Sequence, residues 1–324
     1  MPVSAEMVAG KAIRASTSQP HAAHMAVIEV SNLHKRYRDK VAVRDVSFTV
    51  AEGEIFGILG PNGAGKTTTV ECATGLRVPD SGSIRVLGLD PRRDAKQLHA
   101  GVGVQLQESQ LPDRLKVWEA LRLYASFYPN PVDPEQLIEQ WGLADKRGTV
   151  YGKLSGGQKQ RLFIALALIG NPQVVFLDEL TTGLDPQARR ETWDQIERLR
   201  LTGVTVVLVT HFMEEAERLC DRLAVIDDGE VVAVDTPAGL VSRVDSEQRI
   251  RFRTTGPFDK TLLAGIPEVT KVAQIGSQVV VAGRGDLLYA VTSVLARNQI
   301  VAAELRVEQA NLDDAFVALT GKHA

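Results

Sequence analysis

The sequence predicts an α/β fold: a mainly parallel core sheet, a helical insert, and a small α+β appendage at the C-terminal end. A strand, a glycine-rich loop and a helix succeed one another over residues 54–73. A continuous apolar run, 174–177, and a second β-branched, largely apolar stretch, 204–209, are each followed by a helical segment, the pattern of strands buried on both faces of a parallel sheet. Beyond about residue 245 that pattern gives way to clean apolar–polar alternation.

Residues 1–25 are small and polar and lack the apolar middle of a signal peptide. They are expected to be a disordered extension, with Met25 as an alternative start. Residues 26–30 read as a first strand, and Tyr37 follows in the basic patch Lys35-Arg36-Tyr37-Arg38. Val46, Phe48 and Val50 alternate as in a second strand. Glu52-Gly53 turns the chain into the apolar run 54–59, and a turn at 79–83 leads to a strand at 84–88.

Residues 108–150 differ. Val117, Leu121, Tyr124 and Tyr128 recur at helical spacing, and Leu137, Ile138 and Trp141 mark a second segment beyond Pro129, Pro131 and Pro134. Internal packing accounts for that aromatic stripe, except for exposed residues at its tip. A helix is expected over 154–169, another over 186–201 with Pro186 in its first turn, and a third over 213–220. Strands at 223–226 and 230–234 flank the Asp227-Asp228-Gly229 turn. In the appendage, 245–324, residues 249–253 alternate with arginines on a solvated face. Asn311 caps a last helix with Asp313 and Asp314 in its first turn and Leu312, Ala315, Phe316 and Leu319 inward.

The bulk properties are those of a globular chain. Its 324 residues are 44% hydrophobic and 24% charged, with a net charge of −3, so no nucleic-acid partner is expected. Cys72 and Cys220 lie in apolar, helix-like stretches and read as buried thiols. No apolar run reaches the length of a membrane span.

The chemistry gathers at three places. Gly60-Pro61-Asn62-Gly63-Ala64-Gly65-Lys66-Thr67 fits G-x-x-x-x-G-K-[ST] between a strand and a helix. Glycines let backbone N–H groups reach phosphate oxygens, and the helix start adds its positive end. Lys66 supplies a charge for the β/γ-phosphates and Thr67 a hydroxyl for Mg²⁺. Asp178 and Glu179 end the apolar run 174–177. One carboxylate there can hold Mg²⁺, and its neighbour can orient or deprotonate a water. The third place is Leu154-Ser155-Gly156-Gly157-Gln158, ahead of a helix and between the other two.

With that last stretch, residues 27–234 resemble the nucleotide-binding domains of ATP-binding-cassette (ABC) proteins. The resemblance implies a P-loop NTPase fold of ABC type with an antiparallel β subdomain, spanning 26–244, and ATP with Mg²⁺ as cofactors. It assigns Tyr37 to stacking on adenine, Thr68 to the phosphate loop, and Asp178 to Mg²⁺. Glu179 becomes the catalytic carboxylate and His211 the γ-phosphate contact. Gly183-Leu184-Asp185 becomes the loop that crosses to a partner domain. Gln107 matches the glutamine that touches Mg²⁺ and water, with Gln105 the alternative. Leu180 stands where the family commonly has proline, which changes the stiffness of the turn and not the chemistry.

In the family, Ser155, Gly156, Gly157 and Gln158 would meet ATP held by another domain. One copy of each motif therefore implies an ATP-dependent homodimer, closing head to tail. The cassette would sit at the cytoplasmic face of a bacterial membrane, with separate transmembrane permease subunits docked near the insert. Residues 178–186 and the appendage resemble the ATPases of drug and antibiotic-resistance exporters. The alternatives are an importer cassette, or a soluble ABC ATPase acting on ribosomes or DNA.

Overall fold

The computed structural model describes residues 26–107, 109–243, 248–254, 258–308 and 311–321. The N-terminal extension, 1–25, lies outside the described residues.

The chain opens on a hairpin, β1 (Ala26–Tyr37) and β2 (Lys40–Ala51). Alternation predicts a strand only to Val30, yet the ladder continues to Tyr37 through several register shifts. Each shift resets which face a residue takes, so the period vanishes from the sequence while the strand persists. β3 (Ile55–Leu59), buried at every residue, feeds the glycine loop and α1 (Lys66–Ala73). β4 (Ser81–Val86) pairs antiparallel with β1. α2 (Ala95–Gly101) and β5 (Val102–Gln105) are too short to register as a period and carry no sequence signal.

The insert holds α3 (Val117–Ala125) and α4 (Pro134–Gln140). Tyr128 lies past the end of α3. Its ring sits where a Cβ on Gly170 would come within 2.5 Å. There follow α5 (Gly156–Leu168), β6 (Val174–Asp178), α6 (Pro186–Arg200), β7 (Thr205–Thr210) and α7 (Met213–Leu219). β8 (Arg222–Asp227), β9 (Glu230–Asp235) and α8 (Pro237–Arg243) complete this part.

Among the described residues, β1 to β9 form one sheet in the order β4-β1-β2-β9-β8-β3-β7-β6-β5. The run β8-β3-β7-β6-β5 is parallel. β4, β1 and β2 form an antiparallel wing, joined through β9. Register decides where the chemistry falls. Leu59 pairs with Thr210, and Asp178 with Val209. The glycine loop, the Asp178-Glu179 step and His211 therefore leave the carboxyl ends of three adjacent strands, where open parallel sheets bind ligands.

The appendage begins with β10 (Gln248–Thr254), α9 (Thr261–Ala264), β11 (Val269–Ile275) and β12 (Gln278–Gly283). α10 (Leu287–Arg297) and β13 (Ala302–Glu308) follow. The β-α-β-β-α-β order closes a sheet β11-β12-β10-β13, antiparallel throughout. Ile250, Phe252, Val279 and Val281 pack beneath Leu287, Val291 and Leu295 of α10. Arg249, Arg251 and Arg253 alternate outward, and two of them pair with Glu308 and Glu304.

α11 (Leu312–Thr320) is capped by the Asn311 side chain, which accepts the Asp314 N–H at 2.9 Å. The sequence groups it with the appendage. Its buried Leu312, Ala315 and Phe316 sit instead in the core shared by α5, α6 and α7, against α7, α8 and β9. The Leu312 N–H donates to the Glu217 carboxylate of α7 at 2.7 Å.

Candidate active site

The glycine loop is shaped by crowding. A Cβ on Gly60 would stand 2.2 Å from the Ile226 carbonyl oxygen. One on Gly65, at φ +100, would stand 2.3 Å from that of Ala42. Neither place admits a side chain. Ala64 is buried behind the loop, and its N–H donates to the Pro61 carbonyl at 3.2 Å. Lys66 is buried too. Its Nζ donates to the carbonyls of Gly60 at 2.8 Å and Pro61 at 3.0 Å. Burial pulls its pKa down, with Glu179 and Asp178 pulling it back up. The lysine thus rests on neutral carbonyls that an anion can replace. Tyr37, Asn62, Gly63, Gly65, Lys66, Thr67, Thr68, Gln107 and Glu179 bound a cleft of about 400 Å³. Lys40 and Ala42 also line it. Lys40 opens β2 just past the hairpin turn, paired with Tyr37, and no motif in the sequence marks it. Lys35 and Arg77 lie 5.5 Å and 5.6 Å from the Tyr37 ring centroid.

Asp178 is fully buried, and neither carboxylate oxygen has a hydrogen-bond partner among the described residues. Burial pushes its pKa up to about 6, against the pull of the Thr67 hydroxyl. Two orphaned carboxylate oxygens beside a threonine hydroxyl are hard donors that suit a small divalent cation.

The buried charge has a price in stability. Between 3.8 and about 6, the folded chain still holds a proton that the unfolded chain has lost, so stability falls as pH rises through that window. A shift of that size is worth about 3 kcal/mol. An unpartnered buried amide in its place costs about 1–2 kcal/mol. Asp178→Asn is therefore expected to melt a few degrees above the parent in metal- and nucleotide-free buffer at pH 8. The gap closes near pH 4. Thermal melts across pH check it, and a parent as stable as the variant at pH 8 contradicts it.

Glu179 takes φ +49, unusual for a side chain this size. Its N–H donates to the Val209 carbonyl at 2.9 Å, which fixes the turn. Its Oε2 accepts from the Gln107 amide at 2.8 Å, and its Oε1 lies 3.4 Å from His211 Nδ1. Gln105 is buried and donates to the Leu106 carbonyl. Gln107 is thus the glutamine that reaches the cleft. Leu180, in place of the family's proline, is buried in the core.

A second cleft, about 270 Å³, lies at the start of α5. Ser155 Oγ accepts the Gln158 N–H at 3.3 Å, and Gln158 Oε1 accepts the Ser155 N–H at 3.0 Å. The reciprocal cap leaves the first N–H groups of the helix facing outward. Ser155, Gly156, Gly157, Gly183, Leu184 and Asp185 line this cleft. The Asp185 carboxylate caps α6, accepting from the N–H groups of Gln187 and Ala188. Among the described residues, the two clefts have no lining residue in common.

The profile described as ABC transporter matches residues 43–182. The Nod factor export ATP-binding protein I of Burkholderia lata is 37% identical, over 92% of this chain and 98% of that protein. The chain belongs to the ABC transporter ATP-binding family. A protein of the same name as that relative, from Rhizobium meliloti, is 38% identical over 94% of this chain and 91% of that protein. Among solved structures, an ATP-binding cassette in a dimeric, post-hydrolysis state bound to ADP and Pi matches with a TM-score of 0.59 at 26% identity. That match covers 64% of this chain and 98% of the other. The cassette is an ATP-binding ATPase of that family. No helix among the described residues is long and apolar enough to cross a membrane.

Proposed function

We propose that this ABC ATPase works as a head-to-tail homodimer that powers export of a small molecule through separate membrane subunits. The carrying observation is the separation of the two clefts. Ser155 and the N–H groups at the start of α5 line one, and Lys66 lines the other. Each half needs its counterpart from a second copy.

In this reading Tyr37 stacks on adenine, and residues 60–68 wrap the phosphates. Lys66 leaves the Gly60 and Pro61 carbonyls for the β/γ-phosphates. Asp178, Thr67 and Gln107 hold Mg²⁺, which neutralises charge on the phosphate oxygens when bound. Glu179 accepts the proton of the attacking water, while His211 contacts the γ-phosphate from the end of β7. Asp185 holds the start of α6 against the partner copy.

Export rests on the relatives, named for Nod factor export. That name supports an exporter, and it does not carry the narrower drug cargo suggested by residues 178–186 and the appendage. The docking surface is the tip of the helical insert. Leu123 and Phe127 are exposed there, Phe127 to 68%, and the rings of Tyr124 and Phe127 meet edge to face. Exposed aromatic and aliphatic side chains in one patch suit a partner helix.

One preparation tests the whole reading. From native membranes, detergent should release a complex holding two copies of this chain and an integral membrane subunit. Phe127→Asp should move the chain to the soluble fraction with its ATP binding intact. Recovery of the unaltered chain as a soluble monomer overturns the proposal.

A further inference from the structure

Glu215 is a carboxylate fully shielded from solvent, on α7, one helical turn beyond His211. Its Oε1 accepts two hydrogen bonds: from Thr181 Oγ1 at 2.9 Å and from Trp193 Nε1 at 2.8 Å. Its Oε2 has no partner among the described residues. Both donors are themselves buried. An acid so placed is expensive to bury, and an apolar side chain of similar volume would stabilise the fold better. What a carboxylate adds is a strong, directional acceptor shared by two donors.

The position of the donors gives this its meaning. Thr181 stands in the turn that begins with Glu179 at φ +49. Trp193 lies on α6, the helix capped by Asp185 in the second cleft. Nearby, the Phe212 ring sits 4.1 Å from His211 and 4.7 Å from the Arg189 guanidinium of α6. Arg218 of α7 covers the Trp193 ring at 5.3 Å and pairs with Asp194 and Glu197. Glu215 is the buried centre of this contact. It ties the Glu179 turn, the α7 helix that follows His211 and the α6 helix to one point.

We infer that Glu215 is a positioning residue for hydrolysis. It holds Glu179 and His211 in register at the chain's own ATP, and it carries to them the placement of α6 against the other copy's ATP. It touches no nucleotide. Breaking the tie lets the general base drift by a fraction of an ångström, which lowers turnover and leaves binding alone. It also uncouples the two sites. The inference rests on the roles proposed for Glu179 and His211.

The test measures steady-state ATP hydrolysis by the dimeric protein in four single variants and two double ones. Glu215→Ala is expected to lower kcat roughly 10–100-fold, with KM for ATP within about twofold and the Hill coefficient falling to about 1. Glu215→Gln, whose carbonyl still accepts from both donors, restores most of kcat. Trp193→Phe and Thr181→Val remove one donor each and give intermediate losses. Those losses disappear in the Glu215→Ala background. A Glu215→Ala chain with parental kcat and Hill coefficient overturns the inference. So does a kcat loss matched by weaker ATP binding, or one that Gln does not relieve. If Glu179→Gln hydrolyses at the parental rate, the underlying assignment fails instead.

Discussion

Replacing Glu179 with glutamine lowers ATP turnover by about 10²–10⁴-fold, while ATP binding survives. The substitution keeps size and polarity and removes only the base. In the proposed site binding is insulated, because Lys66 and the loop after β3 would hold the phosphates, whereas Glu179 follows the end of β6. The turn that presents Glu179 is fixed by its N–H bond to Val209, which a glutamine keeps. Its side chain is already aimed, with Gln107 on one oxygen and His211 beside the other. A loss of that size corresponds to about 3–5 kcal/mol of barrier, large for one atom exchanged and in keeping with a group that acts in the transition state. Phosphate release and equilibrium binding of labelled ATP measure the two halves. Undiminished turnover removes Glu179 from its role.

Mixing two dead chains restores activity. A Ser155→Arg chain keeps its phosphate loop and loses the helix tip, because a bulky cation fills the place of a hydroxyl at the start of α5. A Lys66→Ala chain keeps the tip and loses the lysine. Neither chain alone can assemble a complete site. Paired, they contribute an intact Lys66 from one copy and an intact Ser155 from the other, which makes one whole site and one doubly broken one. Random pairing of equal amounts then gives about a quarter of the parental rate, if sites act independently. The proposed head-to-tail pairing, which joins the two separate clefts across copies, leads to this outcome. A mixture as inactive as its components, or single variants that hydrolyse at full rate, places Ser155 and Lys66 in separate business.

The sequence carries the site more clearly than it carries the chain around it. Gly60, Gly65 and the Ser155–Gln158 cap are legible because backbone geometry admits almost no other residues there. Asp178 and Glu179 are legible because two acids at the end of an apolar strand have few structural uses. The sequence favours Gln107 and keeps Gln105 as the alternative. They stand two residues apart where a strand ends, and only the bend at Leu106 turns one inward and the other onto Glu179. Glu215 is invisible for another reason. A glutamate on a short helix reads as solvated, and its two donors come from a turn and from another helix, both distant in sequence. Long-range partners of a common residue leave no local trace.

The last helix changes where this protein can be cut. β10 and β13 run side by side, with Arg249 opposite Glu308, so the appendage leaves and rejoins its host at neighbouring points. Having rejoined, the chain drives Leu312, Ala315 and Phe316 into the host like a stopper. A shortened form ending at Arg243 would leave that socket open and greasy, and would aggregate. One that excises 248–308 and bridges the gap keeps the stopper seated. The appendage is a detachable bead on a closed loop, and the final helix belongs to the engine.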